Sequence, residues 1–343
     1  MTTTSFVPHA ISQVALKPSI TLVISPQEHF NGVQQALESI YEHTTVPFEL
    51  VYVDAGSPRR VQRYLAKAAV KYNFTLLRCD RFLKPNQSRN LGLSQVTTEY
   101  VVFITNDIHV SSGWLSRLWQ CAQETDAAVV SPLNCDSHPL PEAIELRYAC
   151  KLAALTCLLV KRDVFDQIGY LDPKLLGEQA DMDFCFNIHH IDEQIFCEPS
   201  ASVTSVSQRP THWSDWMYFM LRWSDAWELD SLMHFQKKWD LDVEDCLRQH
   251  YSKLGQHRHQ TFLHPLLNRL AKDPVAPGLE QLAIDLERYL NQALVNRHAR
   301  SNHDIVGNVI HTSTVATPVM ASNHGLEQDG CRDTDDALVV LRT

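Results

Sequence analysis

The sequence predicts an α/β protein: an open, Rossmann-like, mainly parallel sheet flanked by helices, followed by a helical C-terminal region. Three observations predict it. Short apolar runs alternate with helix-spaced segments from Ile20 to about Pro199. Several of those runs are continuously apolar, as strands covered on both faces must be. After Pro199 the strand pattern gives way to a tryptophan-rich stretch with helical spacing.

The elements follow in order. Ile20 to Ile24 reads as a buried strand, and Phe30, Val33, Leu37, Ile40 and Tyr41 recur at helical spacing. Phe48 to Val53 is a second strand, ending in the turn-forming Asp54-Ala55-Gly56-Ser57-Pro58. Val61, Leu65, Ala69 and Tyr72 share a helix face, and Phe74 to Cys79 is the next strand. Asn86 to Val96 is a short helix, and Tyr100 to Ile104 is the most strand-like run in the chain. A helix over 113–123 leads to a strand over 127–131, and the pattern resumes with a strand over 154–160 and a helix over 162–168. Gly177 to Asp183 reads as a polar loop entering a helix that runs to His190, with one more short strand at Ile195 to Cys197. Beyond the tryptophans, helices are expected over 261–272 and 278–297, and from Ser301 onward periodicity is lost.

Strand and helix alternation at these intervals gives a parallel sheet whose ligands bind beyond the carboxyl ends of its strands. That rule selects Ser25 to Glu28, Asp54 to Ser57, Asp80 to Asn90 and Thr105 to His109. The expected organisation is an N-terminal segment 1–18, a sheet domain 19–207, a helical region 208–300 and a disordered tail 301–343.

Composition narrows the function classes. With 343 residues, 44% of them hydrophobic and 20% charged, the chain has the make-up of a globular protein with a sizeable core. A net charge of -10 argues against indiscriminate nucleic-acid binding, which needs clustered Lys and Arg. The nine cysteines show no C-x-x-C pair or zinc-like spacing and read as reduced thiols. The first residues lack the basic-then-apolar pattern of a signal peptide, and no apolar run approaches the roughly 20 residues of a membrane span. The expected location is therefore cytoplasmic, with peripheral contact at the inner face of the membrane left open.

Chemistry-bearing residues cluster at the strand ends. In Thr105-Asn106-Asp107-Ile108-His109, a carboxylate beside an amide and an imidazole suits a divalent cation that bridges phosphate oxygens. An Asx-turn would use the same Asp. Asp54 ends a strand where an acid can accept from a base or ribose, or can simply form a turn. Arg89 and Asn90 stand near a helix start, where free N–H groups and positive charge favour a pyrophosphate. A solvated surface helix would look the same. Asp181 and Asp183 are two apart and so do not share a helix face; one can cap the helix while the other enters a cleft as a general base. No P-loop, G-x-G-x-x-G or G-x-S-x-G is present.

Taken in order, these blocks resemble glycosyltransferase family 2. The resemblance is carried by Asp54-Ala55-Gly56-Ser57, by Ser88-Arg89-Asn90-Leu91-Gly92-Leu93, and by the run from Glu99 to Asp107. It continues through Ser112-Gly113-Trp114-Leu115, Cys157 to Phe165, Ile168-Gly169-Tyr170-Leu171-Asp172 and Asp181-Met182-Asp183-Phe184-Cys185. It implies a GT-A fold, a nucleoside-diphosphate sugar donor, a glycan or lipid-linked acceptor, and inversion at the anomeric carbon. It further implies that Asp54, Arg89, Asn90, Asn106 and Asp107 bind the nucleotide sugar. Asp107 would hold Mn2+ or Mg2+ and Asp181 would act as catalytic base; out of register with the family's histidine, His109 or His212 could supply an imidazole to the metal. Thr105 replaces the first acid of the family's D-x-D motif, and Ala180 replaces the Glu before the base, which leaves Glu178 as a substitute acid. Those two replacements support an alternative: a catalytically silent module that binds a sugar nucleotide or a partner protein.

Overall fold

The structure is a computed structural model that describes residues 19–134, 147–205, 213–241, 257–265, 267, 277–303, 312–314 and 338–341. The expected N-terminal segment 1–18 and most of the expected tail 301–343 lie outside the described residues, as does much of the helix expected over 261–272.

The strands are β1 (Ile20–Ser25), β2 (Glu49–Ala55), β3 (Thr75–Cys79), β4 (Tyr100–Thr105), β5 (Ile108–Val110) and β6 (Val129–Asn134), then β7 (Tyr148–Cys150), β8 (Cys157–Lys161) and β9 (Ile195–Ser205). β10 (Thr312–Thr314) and β11 (Leu338–Leu341) add at one edge. The sheet order is β10-β11-β3-β2-β1-β4-β8-β6-β9-β5, with β7 paired to β9. From β3 through β4 all pairings are parallel. Beyond β4 the sheet is mixed, with β8 antiparallel to both β4 and β6, while β9 runs parallel to β6. The expected α/β class is what the chain adopts, with parallel pairing concentrated in the first four strands.

The helices are α1 (Val33–His43), α2 (Arg59–Tyr72), α3 (Pro85–Leu93), α4 (Trp114–Thr125), α5 (Val164–Ile168) and α6 (Gly177–His190), then α7 (Trp213–Arg222), α8 (Asp225–Trp239) and α9 (Pro277–His303). They cover both sheet faces because successive strand residues point to opposite sides. Ile20, Leu22 and Ile24 of β1 pack with Leu37 and Ile40 of α1, Leu65 of α2 and Trp114 and Leu118 of α4. Val23 faces the other way, with Val53 of β2, Leu93 of α3, Val164 of α5 and Phe184 and Ile188 of α6. Phe235 of α8 joins this second core.

Three local readings are corrected. Ile108 to Val110 is a strand rather than part of a loop, because it completes the sheet by pairing antiparallel with Val203–Ser205 of β9. β9 continues well past Cys197, and its register against β6 shifts between Pro132 and Leu133, so Pro199 falls at an irregularity, where proline is tolerated in a sheet. Finally, α6 begins at Gly177 and not at Asp183. The glycine and charges that read as a loop are the first turns of a helix.

Candidate active site

The chain runs β1, β2, β3 outward on one side and then returns to place β4 on the other side of β1. This is a topological switch point, and the crevice outside the carboxyl ends of β1 and β4 is where such sheets bind ligands. Ser25 and Thr105 end these strands side by side. The two loops that leave them, Pro26–Asn31 and Asn106–Asp107, form the floor of the site.

Asp107 is 8% exposed, and only one of its oxygens has a partner: Ser205 Oγ donates to Oδ2 at 3.3 Å, while Oδ1 is buried and unpaired. A buried carboxylate oxygen without a donor is costly unless something else meets it. His29 lies within the field of Asp107, and its buried Nδ1 is also without a partner. Burial lowers the His29 pKa, against the opposing pull of Asp107 and Asp215. His109 sits on β5 opposite Thr204, half-buried, with an unpartnered Nε2. Among the described residues no cluster of three or more His, Cys, Asp or Glu could by itself hold a metal ion.

Asn106 is fully buried, and its carboxamide is taken up by the β1–α1 loop: Gln27 N donates to Oδ1 and Nδ2 donates to His29 O. Asn90 is used the same way, with Nδ2 donating to Leu171 O and Leu171 N donating to Oδ1. Both were expected to contact a donor directly. In this structure their carboxamides hydrogen-bond to backbone groups of the loops around the site. Asp54 is also buried, and it accepts from Ser57 N, Ser57 Oγ and the Arg78 guanidinium, so its carboxylate is already well satisfied.

Arg89 projects from α3 and is 4% exposed. Its Nη1 donates to Asn86 Oδ1 at 2.9 Å and its Nη2 to Gln27 Oε1 at 3.4 Å, while Nε is buried without a partner. No carboxylate lies within salt-bridge distance of it among the described residues. Burial therefore pulls its pKa down to about 10, partly offset by the more distant Asp181. It remains a cation at neutral pH, short of an anion.

Asp181 lies in the second turn of α6 and accepts a hydrogen bond from Leu155 N at 2.9 Å. Its pKa is raised to about 6, first by burial, against the hydrogen bond from Leu155 and the fields of Arg89 and Arg222. Glu178, one turn earlier, is exposed and adds to the rise. Asp183, the other acid of the pair, belongs to the packing: it accepts from Trp239 Nε1 and pairs with Lys238.

The sequence reading missed the contribution of α7. Its tryptophan-rich segment mostly packs: Tyr218 is buried 5.1 Å from the ring of Phe30 and 5.4 Å from that of Phe82, and donates to Leu83 O. Asp215 accepts from Phe30 N, which ties α7 to the β1–α1 loop. The same helix delivers Arg222, fully buried, ion-paired to Glu228 of α8, and with its own Nε unpartnered. Gly177 makes room for it. Its φ is +50°, and a Cβ there would lie 3.1 Å from Arg222 Nη2. Glu28, in the loop after β1, lies in the field of the same cation, and burial raises its pKa in spite of Arg222. The only sequence-level signal for Arg222 is a single cation in an apolar helical stretch.

The crevice thus gathers two buried guanidiniums, an unpaired carboxylate oxygen and a carboxyl titrating near neutrality, which is the equipment for handling an anionic ligand and moving a proton. Residues 23–167 match the family described as Glycosyl transferase family 2, in agreement with the resemblance read from the sequence. Among curated proteins, the chain is 26% identical over 204 residues to the uncharacterized protein y4gI of Sinorhizobium fredii, covering 50% of this chain and 22% of that protein. It is 19% identical over 175 residues to the low-salt glycan biosynthesis hexosyltransferase Agl10 of Haloferax volcanii, covering 45% and 57%. The chain therefore spans less than two thirds of either relative. A solved structure, the mannosyltransferase PcManGT of Pyrobaculum calidifontis in complex with GDP-Man and Mn2+, is similar at 13% identity and a TM-score of 0.48, covering 86% of this chain and 89% of that one.

Proposed function

We propose that this chain transfers a sugar from a nucleoside-diphosphate sugar to a hydroxyl of a saccharide or lipid-linked glycan, with inversion at the anomeric carbon. The observation that carries the reading is Asp181: a carboxylate in the crevice, held by Leu155 N, with its pKa pushed to about 6. A base poised near the working pH takes a proton efficiently in the transition state. In the proposed step the acceptor oxygen attacks the anomeric carbon from the face opposite the leaving group. The bond from that carbon to the diphosphate oxygen breaks, and the acceptor proton passes to Asp181.

The donor's diphosphate is the anion that Arg89 lacks, and Arg222 adds positive potential from the opposite wall. Asp107 fits a divalent cation as its single carboxylate ligand, since Oδ1 is unpaired and Mn2+ or Mg2+ fills its remaining positions with water and phosphate oxygens. His109 is the nearest expected imidazole in sequence. When bound, such a cation would neutralise the departing diphosphate. Asp54 would receive the nucleoside, which requires its Arg78 contact to be shared or exchanged. Residues 19–207 would form the catalytic domain and 208–300 the helical region that completes it. No helix among the described residues is long and apolar enough to cross a membrane, and a cytoplasmic location accords with the cysteine usage.

Thr105 and Ala180, buried at 1% and 3% exposure, favour a second reading, in which the site binds a sugar nucleotide without turning it over. Product formation decides between the two. Transfer or donor hydrolysis by the unsubstituted protein, lost in Asp181→Asn while donor affinity is retained, is expected of the enzyme. Donor binding without turnover in any metal would point to the silent module. Unchanged donor affinity in Asp107→Ala would remove Asp107 as the cation ligand.

A further inference from the structure

The loop after β1 is clamped onto the residues that follow β4. Asn106 Nδ2 donates to His29 O at 2.7 Å, and Gln27 N donates to Asn106 Oδ1 at 3.2 Å. Phe30 N donates to Asp215 Oδ1 at 3.2 Å, which holds the loop from the α7 side. Gly32 packs against Asp107, where a Cβ on the glycine would lie 3.4 Å from Asp107 Cα and 3.7 Å from its Cβ. His29 is thereby held at 3% exposure in the field of a carboxylate that is itself 8% exposed. Each keeps one buried atom without a hydrogen-bond partner, Nδ1 of His29 and Oδ1 of Asp107, so the two are not bonded to each other. Burying both atoms unmet costs free energy twice, and a ligand that takes nitrogen and oxygen together recovers both.

A transition-metal dication is such a ligand. Mn2+ accepts imidazole beside carboxylate, whereas Mg2+ keeps to oxygen. Two protein donors are enough when water and phosphate oxygens complete the sphere. The surroundings of the pair are also those of metal ligands. Ser205 Oγ donates to Asp107 Oδ2, and Asp215 acts on His29 as a second carboxylate field. Outer hydroxyls and carboxylates of this kind orient a metal's ligands and tune their basicity. His109 is placed differently, fixed in β5 opposite Thr204 of β9, and His212 lies outside the described residues. Building on the reading of Asp107 as a cation ligand, we propose that His29 is the imidazole that joins it. The site is then made from the loops of two adjacent strands, β1 and β4, and it prefers Mn2+ to Mg2+.

Mn2+ alone is the probe, titrated into the full chain, with free ion counted by electron paramagnetic resonance and bound imidazole read from nitrogen modulation of the spin echo. The unsubstituted protein is compared with His29→Ala, His29→Asp, His109→Ala, His212→Ala and Asp107→Ala, each checked for folding by circular dichroism. The expected result is a nitrogen modulation that His29→Ala abolishes, with the Mn2+ dissociation constant raised by roughly 10-fold or more and Mg2+ affinity changed less. His29→Asp exchanges nitrogen for oxygen: it recovers Mn2+ binding without the nitrogen signal and shifts the preference toward Mg2+. This variant keeps the test sound if the alanine disturbs the loop. His109→Ala and His212→Ala retain both signal and affinity. A modulation that survives His29→Ala, or Asp107-dependent binding with no nitrogen modulation at all, overturns the proposal and leaves Asp107 as a ligand. Mn2+ that does not bind, or that binds Asp107→Ala equally well, removes the cation reading itself and the proposal with it.

Discussion

At the scale of single residues, the site is defined by groups that the fold leaves electrostatically unfinished. Asp181 is the clearest. Its carboxyl titrates near 6 in the folded chain against an ordinary value of 3.8, with burial as the main cause. In the window between those values the folded state binds more protons than the unfolded one, so this group makes stability fall as pH rises from about 4 to about 6. Asp181→Asn removes that cost. It is expected to raise the stability at pH 7 by roughly 1–3 kcal/mol, with the gain vanishing below about pH 4, as thermal unfolding across pH will show. The same titration governs catalysis with the opposite consequence: kcat/KM should decline below about pH 6 as the base is protonated. Asp181→Asn should lose roughly 10²–10⁴-fold in transfer. Arg89 is unfinished in the other sense, a buried cation with no carboxylate in contact. Arg89→Met should leave stability unchanged or improved, since replacing a buried charge by an apolar chain of similar length is often neutral. It should weaken donor binding by roughly 10–100-fold, measurable by calorimetry.

At the scale of elements, close approach of α3 to the sheet holds Arg89 in place. A Cβ at Gly92 would lie 2.3 Å from Val23 Cγ1 and 3.3 Å from Val53 Cγ2, both in the core of the central strands. Gly92→Ala is expected to push the helix outward and cost about 1–3 kcal/mol by denaturant unfolding, with donor affinity falling as Arg89 shifts. Much of this level was legible in the sequence. The runs read as strands at Ile20–Ile24 and Tyr100–Ile104 lie in fully buried strands, and the strand-end rule pointed to Asp107 and Arg89 before any fold was known. What escaped reading depended on distant pairing. β5 is too short to announce itself and exists because β9 lies beside it. The start of α6 was hidden by Gly177, which reads locally as a loop residue but is required by Arg222 from α7. Nor does sequence, which gives residue type and not hydrogen-bond partner, show that the carboxamides of Asn90 and Asn106 bond to backbone groups of neighbouring loops.

At the scale of the whole molecule, the sheet domain and the helices after it form one site. The loops after β1 and β4 supply Glu28 and Asp107, α3 and α6 supply Arg89 and Asp181, and α7 brings Arg222, anchored through Asp215 and Tyr218. The tryptophan-rich region could be recognised as helical from its spacing, but its role as a wall of the site could not, because nothing in a linear pattern says which strand ends a later helix will cross. The measurement that tests this account most directly is thermal unfolding of the full chain with UDP-, GDP- and dTDP-sugars, each with and without Mn2+, alongside Arg89→Met and Asp107→Ala. A ligand that binds only the folded state stabilises it as its concentration exceeds Kd. The account predicts that one nucleotide class raises Tm, that Mn2+ enlarges the rise, that Asp107→Ala removes the metal dependence and that Arg89→Met shrinks the rise throughout. No rise with any donor from well-folded protein, or a rise indifferent to both substitutions, would contradict the assignment of this crevice as the donor site.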